Sequence, residues 1–196
     1  MIKSKIQIKF LHQYDSIQSF SDDIYVADYT EQTKTSTIKR SVELFSPSHP
    51  TDIDYFEIKN TPKLDIEGIV FDNFSFVRSD GSPKSQCEAV FFPKLTVDNS
   101  WILFCELKYS TKPLNNSSNL RKAIKQLIKT RYYYIQDGII DSTNLSYLIA
   151  SLPQQSEPFT NFSISQTFLT KLKRKRSIIL RMRNSVEIID NKTIQV

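Results

Sequence analysis

The sequence predicts an α+β or α/β fold with a mixed central β-sheet flanked by helices. Three features of the 196-residue chain predict it. Most of the chain consists of short alternating or uniformly apolar runs, separated by Ser, Thr, Asp and Pro clusters. One long stretch, residues 119–136, instead carries apolar residues at helical spacing. Residues 144–151 (NLSYLIAS) then read as a strand again, so a helix stands between two strands.

In chain order, Ile2, Ile6, Ile8 and Phe10 alternate with polar residues and read as a first strand, and residues 24–29, 37–45, 54–59 and 66–77 read as further strands. Nothing in residues 1–85 reads as a convincing helix. Residues 87–93 (CEAVFFP) and 101–108 (WILFCELK) form a hairpin around residues 94–100, with Asp98, Asn99 and Ser100 supplying turn chemistry. That register sets Glu88 opposite Glu106, Val90 opposite Phe104 and Phe92 opposite Ile102. One face then carries Glu88, Val90, Phe104, Glu106 and Lys108, and the other carries Cys87, Ala89, Leu103, Cys105 and Leu107. Both faces are apolar except at one end, the pattern of a strand pair covered on both sides.

The helix over 119–136 is capped by Ser117 or Ser118 and closed by Asp137-Gly138. Leu120, Ile124, Leu127, Ile128, Arg131 and Ile135 should pack on the sheet. Lys122, Gln126, Lys129, Thr130 and Tyr133 make a polar, basic stripe. Of the three successive tyrosines 132–134, at least one should be core. Residues 153–158 read as a loop and 161–172 as a short second helix capped near Ser163 or Ser165. Residues 177–196 read as a terminal hairpin with strands at 178–182 and 186–189. The expected organisation is a β-rich region over residues 1–60, either an addition or part of the same domain, and a core over 61–196 with a basic C-terminal region.

The chemistry concentrates at the polar end of the hairpin. Residues two apart on a strand share a face, so Glu106 and Lys108 point the same way at the end of a buried run, with Glu88 beside them. A carboxylate and an ammonium are costly there unless they serve something. Two acids and a lysine converging on one spot can hold a hard divalent cation and activate a water, the apparatus of metal-assisted phosphodiester hydrolysis.

The order of elements (acid at a strand start, apolar strand, turn, apolar strand, Glu-x-Lys, basic helix) resembles the PD-(D/E)xK superfamily of nucleases. The resemblance covers roughly residues 86–150. It implies a restriction-endonuclease-like core and a metal-dependent nuclease acting on DNA. It further implies that Glu88, Glu106 and the backbone carbonyl of Leu107 bind Mg2+ or Mn2+, that Lys108 positions or activates the attacking water, and that Gln126 is the family's helix glutamine. Two departures stand out. Gln86-Cys87-Glu88 replaces the family's proline-aspartate, and Thr130 stands where some members carry a tyrosine. A second reading, a catalytically inactive subunit of the same fold that binds nucleic acid or assembles into a larger complex, follows from those departures. A third, an unrelated strand-rich interaction protein, requires Glu88 and Glu106 to lie far apart.

Charge supports a polyanionic partner. The net charge is +5, but residues 1–98 carry 11 Lys/Arg against 15 Asp/Glu and residues 99–196 carry 15 against 6. The basic half contains the Glu-x-Lys strand and its helix. Lys122 and Lys129, with Lys173, Arg174, Lys175 and Arg176 in the run KLKRKR, are the candidate nucleic-acid contacts. A homo-oligomer or protein partner stays open. No run reaches the eighteen or more apolar residues of a membrane span and the N-terminus lacks a signal-peptide pattern, so a soluble, cytoplasmic protein is expected. Two cysteines and two scattered histidines make no zinc site. Cys87 and Cys105 are expected as buried thiols on the face opposite the carboxylates.

Overall fold

The structure, a computed structural model, describes residues 2–95, 97 and 100–196. Its fold is α+β, with two mixed sheets and helices packed against one of them. The elements are α1 (Ile2–Lys9), α2 (Leu11–Asp15), β1 (Gln18–Phe20), β2 (Ile24–Asp28), β3 (Val42–Phe45), β4 (Phe56–Lys59), β5 (Ile66–Val70), β6 (Ala89–Pro93) and β7 (Ile102–Leu107). After a 3-10 turn at Pro113–Asn115 come α3 (Asn116–Gln136), β8 (Ser146–Ser151), α4 (Gln166–Arg176), β9 (Ile178–Met182), β10 (Ser185–Ile188) and β11 (Ile194–Gln195).

The larger sheet has the order β1-β5-β6-β7-β8-β9. It is antiparallel from β1 to β7 and parallel from β7 to β9. Its parallel half arises because α3 and α4 carry the chain back over the sheet between β7, β8 and β9, which a tight turn cannot do. The smaller sheet has the order β11-β10-β4-β2-β3. Residues from both ends of the chain build it, since β10 runs parallel to β4 with Val186 beside Ile58.

The larger sheet is therefore buried on both faces. Val90, Phe92, Ile102, Phe104 and Leu148 meet Leu120, Ala123 and Leu127 of α3 and Leu172 of α4. Ala89, Phe91, Leu103, Cys105 and Ile149 meet Ile24, Val26, Phe56 and Ile58 of the smaller sheet. Every residue of β6 and β7 is buried. The hairpin register matches the sequence reading where it can be compared, with Val90 opposite Phe104. The turn residues Asp98 and Asn99 lie outside the described residues.

Several sequence expectations need correction. The first strand is a helix: Ile2 and Ile6 are buried whereas Ile8 is 79 % exposed. Ile2, Ile6 and Phe10 are each four apart, and that spacing prevailed over the apparent alternation of Ile6, Ile8 and Phe10. The run over 66–77 supplies strand only to Val70, because Phe71 to Ser75 turn back through Asp72, whose carboxylate accepts from the Phe74 N–H and the Ser75 hydroxyl. Helix α3 begins at Asn116, ahead of both expected caps, and Ser118 donates to the Asn115 carbonyl instead of capping. Ile128, expected in the core, is 38 % exposed.

A further correction concerns the C-terminus, where β9 and β10 belong to different sheets and form no hairpin. Asn184 makes the corner between them. Its side-chain oxygen accepts from Ser151 Oγ and the Leu152 N–H, its amide nitrogen donates to the Gln155 carbonyl, and its own carbonyl accepts from the Glu57 N–H. With those groups satisfied, two residues suffice to pass from one sheet to the other.

Helix α4 has the cap expected at Ser165, whose hydroxyl accepts from the Phe168 N–H, but it runs over Gln166–Arg176 and so starts and ends later than the expected 161–172. Its other end is held by Arg131, a buried residue of α3 that donates to the Arg176 carbonyl and to Ser146 Oγ. A cation at a helix C-terminus is favourable there.

The sheet core has little slack at Gly68. A Cβ on that residue would lie 2.8 Å from the Phe91 ring and 3.1 Å from the Phe20 ring. Gly68→Ala is expected to destabilise the fold by about 1–3 kcal/mol, the usual range for overpacking, read as a lower urea midpoint with unchanged slope.

Candidate active site

The site lies where β6 begins and β7 ends. Strand pairing holds through the end of β7, where Glu106 lies beside Ala150 and the Lys108 N–H donates to the Ser151 carbonyl. Glu106 is fully buried, Glu88 and Lys108 are half-buried, and Lys108 Nζ is ion-paired with Glu106 Oε1. The second oxygen, Glu106 Oε2, is buried without a hydrogen-bond partner among the described residues.

Glu88 enters the sheet irregularly. Its N–H donates to the Cys105 carbonyl at 3.1 Å, although Cys105 is already the partner of Ala89. Glu88 and Ala89 thus both face one residue of β7, in the manner of a β-bulge. This displaces Glu88 by one position from the expected direct opposition to Glu106. It also turns Cys87 over. Cys87 packs on the helix side of the sheet, while Cys105 faces the smaller sheet as expected. Both cysteines are free and buried.

Helix α3 fixes this irregular entry. Thr130 Oγ1 accepts from the Cys87 N–H at 2.8 Å and donates to the Gln126 carbonyl. Gln126 Nε2 donates to the Gln86 carbonyl at 2.8 Å, leaving Gln126 Oε1 buried and unpartnered among the described residues. Gln126 is therefore a positioning residue: it holds the backbone two residues ahead of Glu88. Thr130, which the sequence placed on the polar stripe, is fully buried and acts with it.

The electrostatics are those of crowded acids. Burial pushes the Glu88 carboxyl well above the usual carboxylate range, and the charges of Glu106 and then Asp28 push it further. Glu106 is pushed up to about 7, chiefly by burial, against the opposing pull of Lys108 and, more weakly, of Lys122. Asp28 acts on both glutamates and was missed by the sequence reading. It ends the buried run of β2 in the smaller sheet, and its N–H donates to Tyr109 Oη at 3.2 Å. The Tyr109 hydroxyl in turn donates to the Asp54 carbonyl. The missed signal is the one that marks Glu106: an acid closing an apolar strand. Of the acids left unassigned, Glu67 is buried and ion-paired with Lys3, and Glu57 lies near Lys59 on the smaller sheet.

The basic residues divide. Lys122 is close enough to act on Glu106. Lys129 lines a groove between α3 and the start of α4. Lys173, Arg174, Lys175 and Arg176 are exposed at the end of α4 that leads into Ile178, beside Ser146 and hence in line with Ile102. Glu106 is four residues further along β7, so this cluster lies at the opposite end of the sheet, roughly 13 Å away along the strands. Of the three tyrosines, Tyr134 is core and Tyr132 is 55 % exposed.

A hard divalent cation fits the donor set. Two carboxylates and a backbone carbonyl are oxygen ligands, and an unpartnered buried carboxylate oxygen is what such an ion would satisfy. Among the described residues no three His, Cys, Asp or Glu side chains form a complete cage. Glu88 and Glu106, with the Leu107 carbonyl, are the ligands the site can offer.

Two outcomes follow. Carboxyls whose folded pKa is raised stay protonated in the native state after their unfolded counterparts ionise. Their contribution is full below about pH 4.5 and is lost as pH rises toward about 7, the value reached by Glu106. In chelator, Glu88→Gln is therefore expected to match wild type near pH 4 and to exceed it in stability at pH 7–8, by on the order of 1 kcal/mol or more, in urea titrations across that range. Thr130→Val, which keeps the shape but orphans the Cys87 N–H, is expected to cost about 1–3 kcal/mol, and Thr130→Ser to recover most of it in the same assay.

Neither family models, curated proteins nor solved structures give a match to this chain, so the functional reading rests on the residues and their geometry.

Proposed function

We propose that the protein is a metal-dependent nuclease of the restriction-endonuclease-like kind that hydrolyses DNA phosphodiester bonds. The observation that carries the reading is the convergence of Glu88, Glu106 and Lys108 at one sheet end, with a buried carboxylate oxygen left unpartnered.

Glu88, Glu106 and the Leu107 carbonyl would hold Mg2+ or Mn2+, which when bound supplies positive charge that activates water and stabilises charge developing on the phosphate. Lys108 orients the attacking water and assists its deprotonation once it is released from Glu106. Gln126 and Thr130 keep Glu88 in place through the backbone of Gln86 and Cys87. Lys122 draws a phosphate backbone toward the site. Lys173, Arg174, Lys175 and Arg176 serve as a separate, salt-sensitive contact further along the same duplex, which carries one charge per roughly 1.7 Å. Two free, buried cysteines suit a reducing cytoplasm. No described helix is long and apolar enough to cross a membrane.

One observation favours the alternative of a non-catalytic nucleic-acid-binding or assembly subunit: the Lys108 ammonium itself neutralises Glu106. The two readings part on divalent-ion dependence, since an enzyme needs the ion for turnover and a binder only positive charge.

The test is cleavage of linear, circular and single-stranded DNA by wild type and Lys108→Ala, with Mg2+, Mn2+ or chelator. Cleavage is expected only with the ion, and the variant should lose about 100-fold or more in rate. Mg2+ should also raise the melting temperature of wild type but not of Glu106→Gln. Salt-sensitive DNA binding without cleavage under any of these conditions would replace the nuclease with the binding subunit.

A further inference from the structure

Outside the carboxylate site, α3 presents a second, differently built surface. A groove of about 650 Å3 runs between α3 and the segment entering α4. Its lining is apolar at Ile124, Ile128, Phe162, Ile164 and Phe168 and cationic at Arg121, Lys125 and Lys129, and no carboxylate lines it. Ile128 is 38 % exposed and Phe168 43 % exposed, so the apolar floor faces water. Among the described residues none of the three cations is ion-paired.

We propose that this groove docks an acidic amphipathic helix of a partner protein. Charge complementarity selects the sign: three unpaired cations rim an apolar strip with no opposing acid. An extended peptide is disfavoured because strand addition needs free backbone groups, and the α3 backbone is satisfied within its helix. A helix is favoured over nucleic acid because the α3 wall of the floor is aliphatic, at Ile124 and Ile128, and branched side chains pack on leucines but do not stack on bases; Phe162 and Phe168 stand only on the opposite wall. The length fits a helix. Arg121 to Lys129 spans nine residues, roughly 12 Å, matching apolar anchors at i, i+3 or i+4, and i+7 on the incoming helix. Ser163 and Ser165 add short polar groups at one wall.

Apolar burial holds such a complex and the cationic rim sets its salt dependence. The groove uses Ile128 and Lys125, which have no part in the carboxylate site, so docking and cleavage can be separated.

The experiment is fluorescence anisotropy of the full chain with a labelled 18-residue peptide carrying Leu along one helical face and Glu elsewhere. A control of identical composition has its leucines scattered. Saturable binding in the micromolar range is expected, at least tenfold weaker for the control, for Ile128→Glu and for Lys125→Glu, and weakened by salt. Both positions are exposed, so circular dichroism and melting temperature should match wild type. No saturation by about 100 µM, equal binding of the control, or indifference to Ile128→Glu would overturn the proposal. Displacement of the peptide by single-stranded DNA in a manner lost with Ile128→Glu would assign the groove to nucleic acid instead. A concentration-dependent dimer abolished by Ile128→Glu would assign it to a second copy of this chain.

Discussion

Burial of the larger sheet on both faces is the constraint from which the rest follows. In β7, Ile102, Leu103, Phe104 and Leu107 are all at or below 1 % exposure, each contributing about 1.5–3 kcal/mol on burial. That sum is large enough to carry one ionisable group whose desolvation costs several kcal/mol, but only where a partner can reach it. The partner can come only from the strand end, where the chain emerges toward solvent and Lys108 folds back on Glu106. At β7 the charged cluster therefore sits at the rim, which is also where β2 of the second sheet delivers Asp28. Burial by two different layers, helices on one side and a sheet on the other, is what brings acids from distant parts of the chain to one edge.

The bulge at Glu88 shows how the layers act together. A regular antiparallel pairing would have left Cys87 on the smaller-sheet side and Glu88 squarely opposite Glu106. Two carboxylates locked directly opposite would repel at close range. The extra residue shifts Glu88 out of direct register while keeping Glu106 near enough to raise the proton affinity of Glu88. The irregularity leaves the Cys87 N–H without a strand partner, and Thr130 accepts from it. An isolated threonine within a helix thereby becomes part of the site's framework, with Gln126 beside it.

What was legible in the sequence follows the range of the interactions. The hairpin register, the two-sided burial of β6 and β7, helix α3 and the cap of α4 rest on local periodicity and side-chain chemistry, and they were readable. The N-terminal helix was not, because Ile2, Ile6 and Phe10 fit a spacing of four while Ile6, Ile8 and Phe10 fit a period of two, and only packing against the sheet decides between them. The split of β9 and β10 between two sheets was hidden for a different reason. A two-residue connection has the length of a hairpin turn, and the corner is made by Asn184 through partners as distant as Glu57 and Gln155. At the rim, the proximity of Glu88, Glu106, Lys108 and Gln126 was readable because they lie within one strand–strand–helix unit. Asp28 was not, since its place depends on how the second sheet stacks on the first.

The same stacking bears on the charge balance of the site. The acidic half of the chain contributes Asp28 and Glu88, and the basic half contributes Glu106, Lys108 and Lys122. Three carboxyl groups stand against two ammonium groups, and one of those, Lys122, is exposed and acts weakly. Burial amplifies the imbalance, which is why the two glutamates hold protons so far above the usual range. Such a cluster can be relieved by protons or by a cation of higher charge, and the two compete for the same oxygens. On the proposed reading, the raised proton affinity of Glu88 and Glu106 and the readiness to take a divalent ion are one property of the fold. On the alternative reading, the Lys108–Glu106 pair is a self-neutralised ion pair, as Lys3 and Glu67 are elsewhere in the fold, and the basic surface alone holds DNA. On the nuclease reading, the buried acid, its unpartnered oxygen and the helix that braces the neighbouring acid act as one apparatus at this rim.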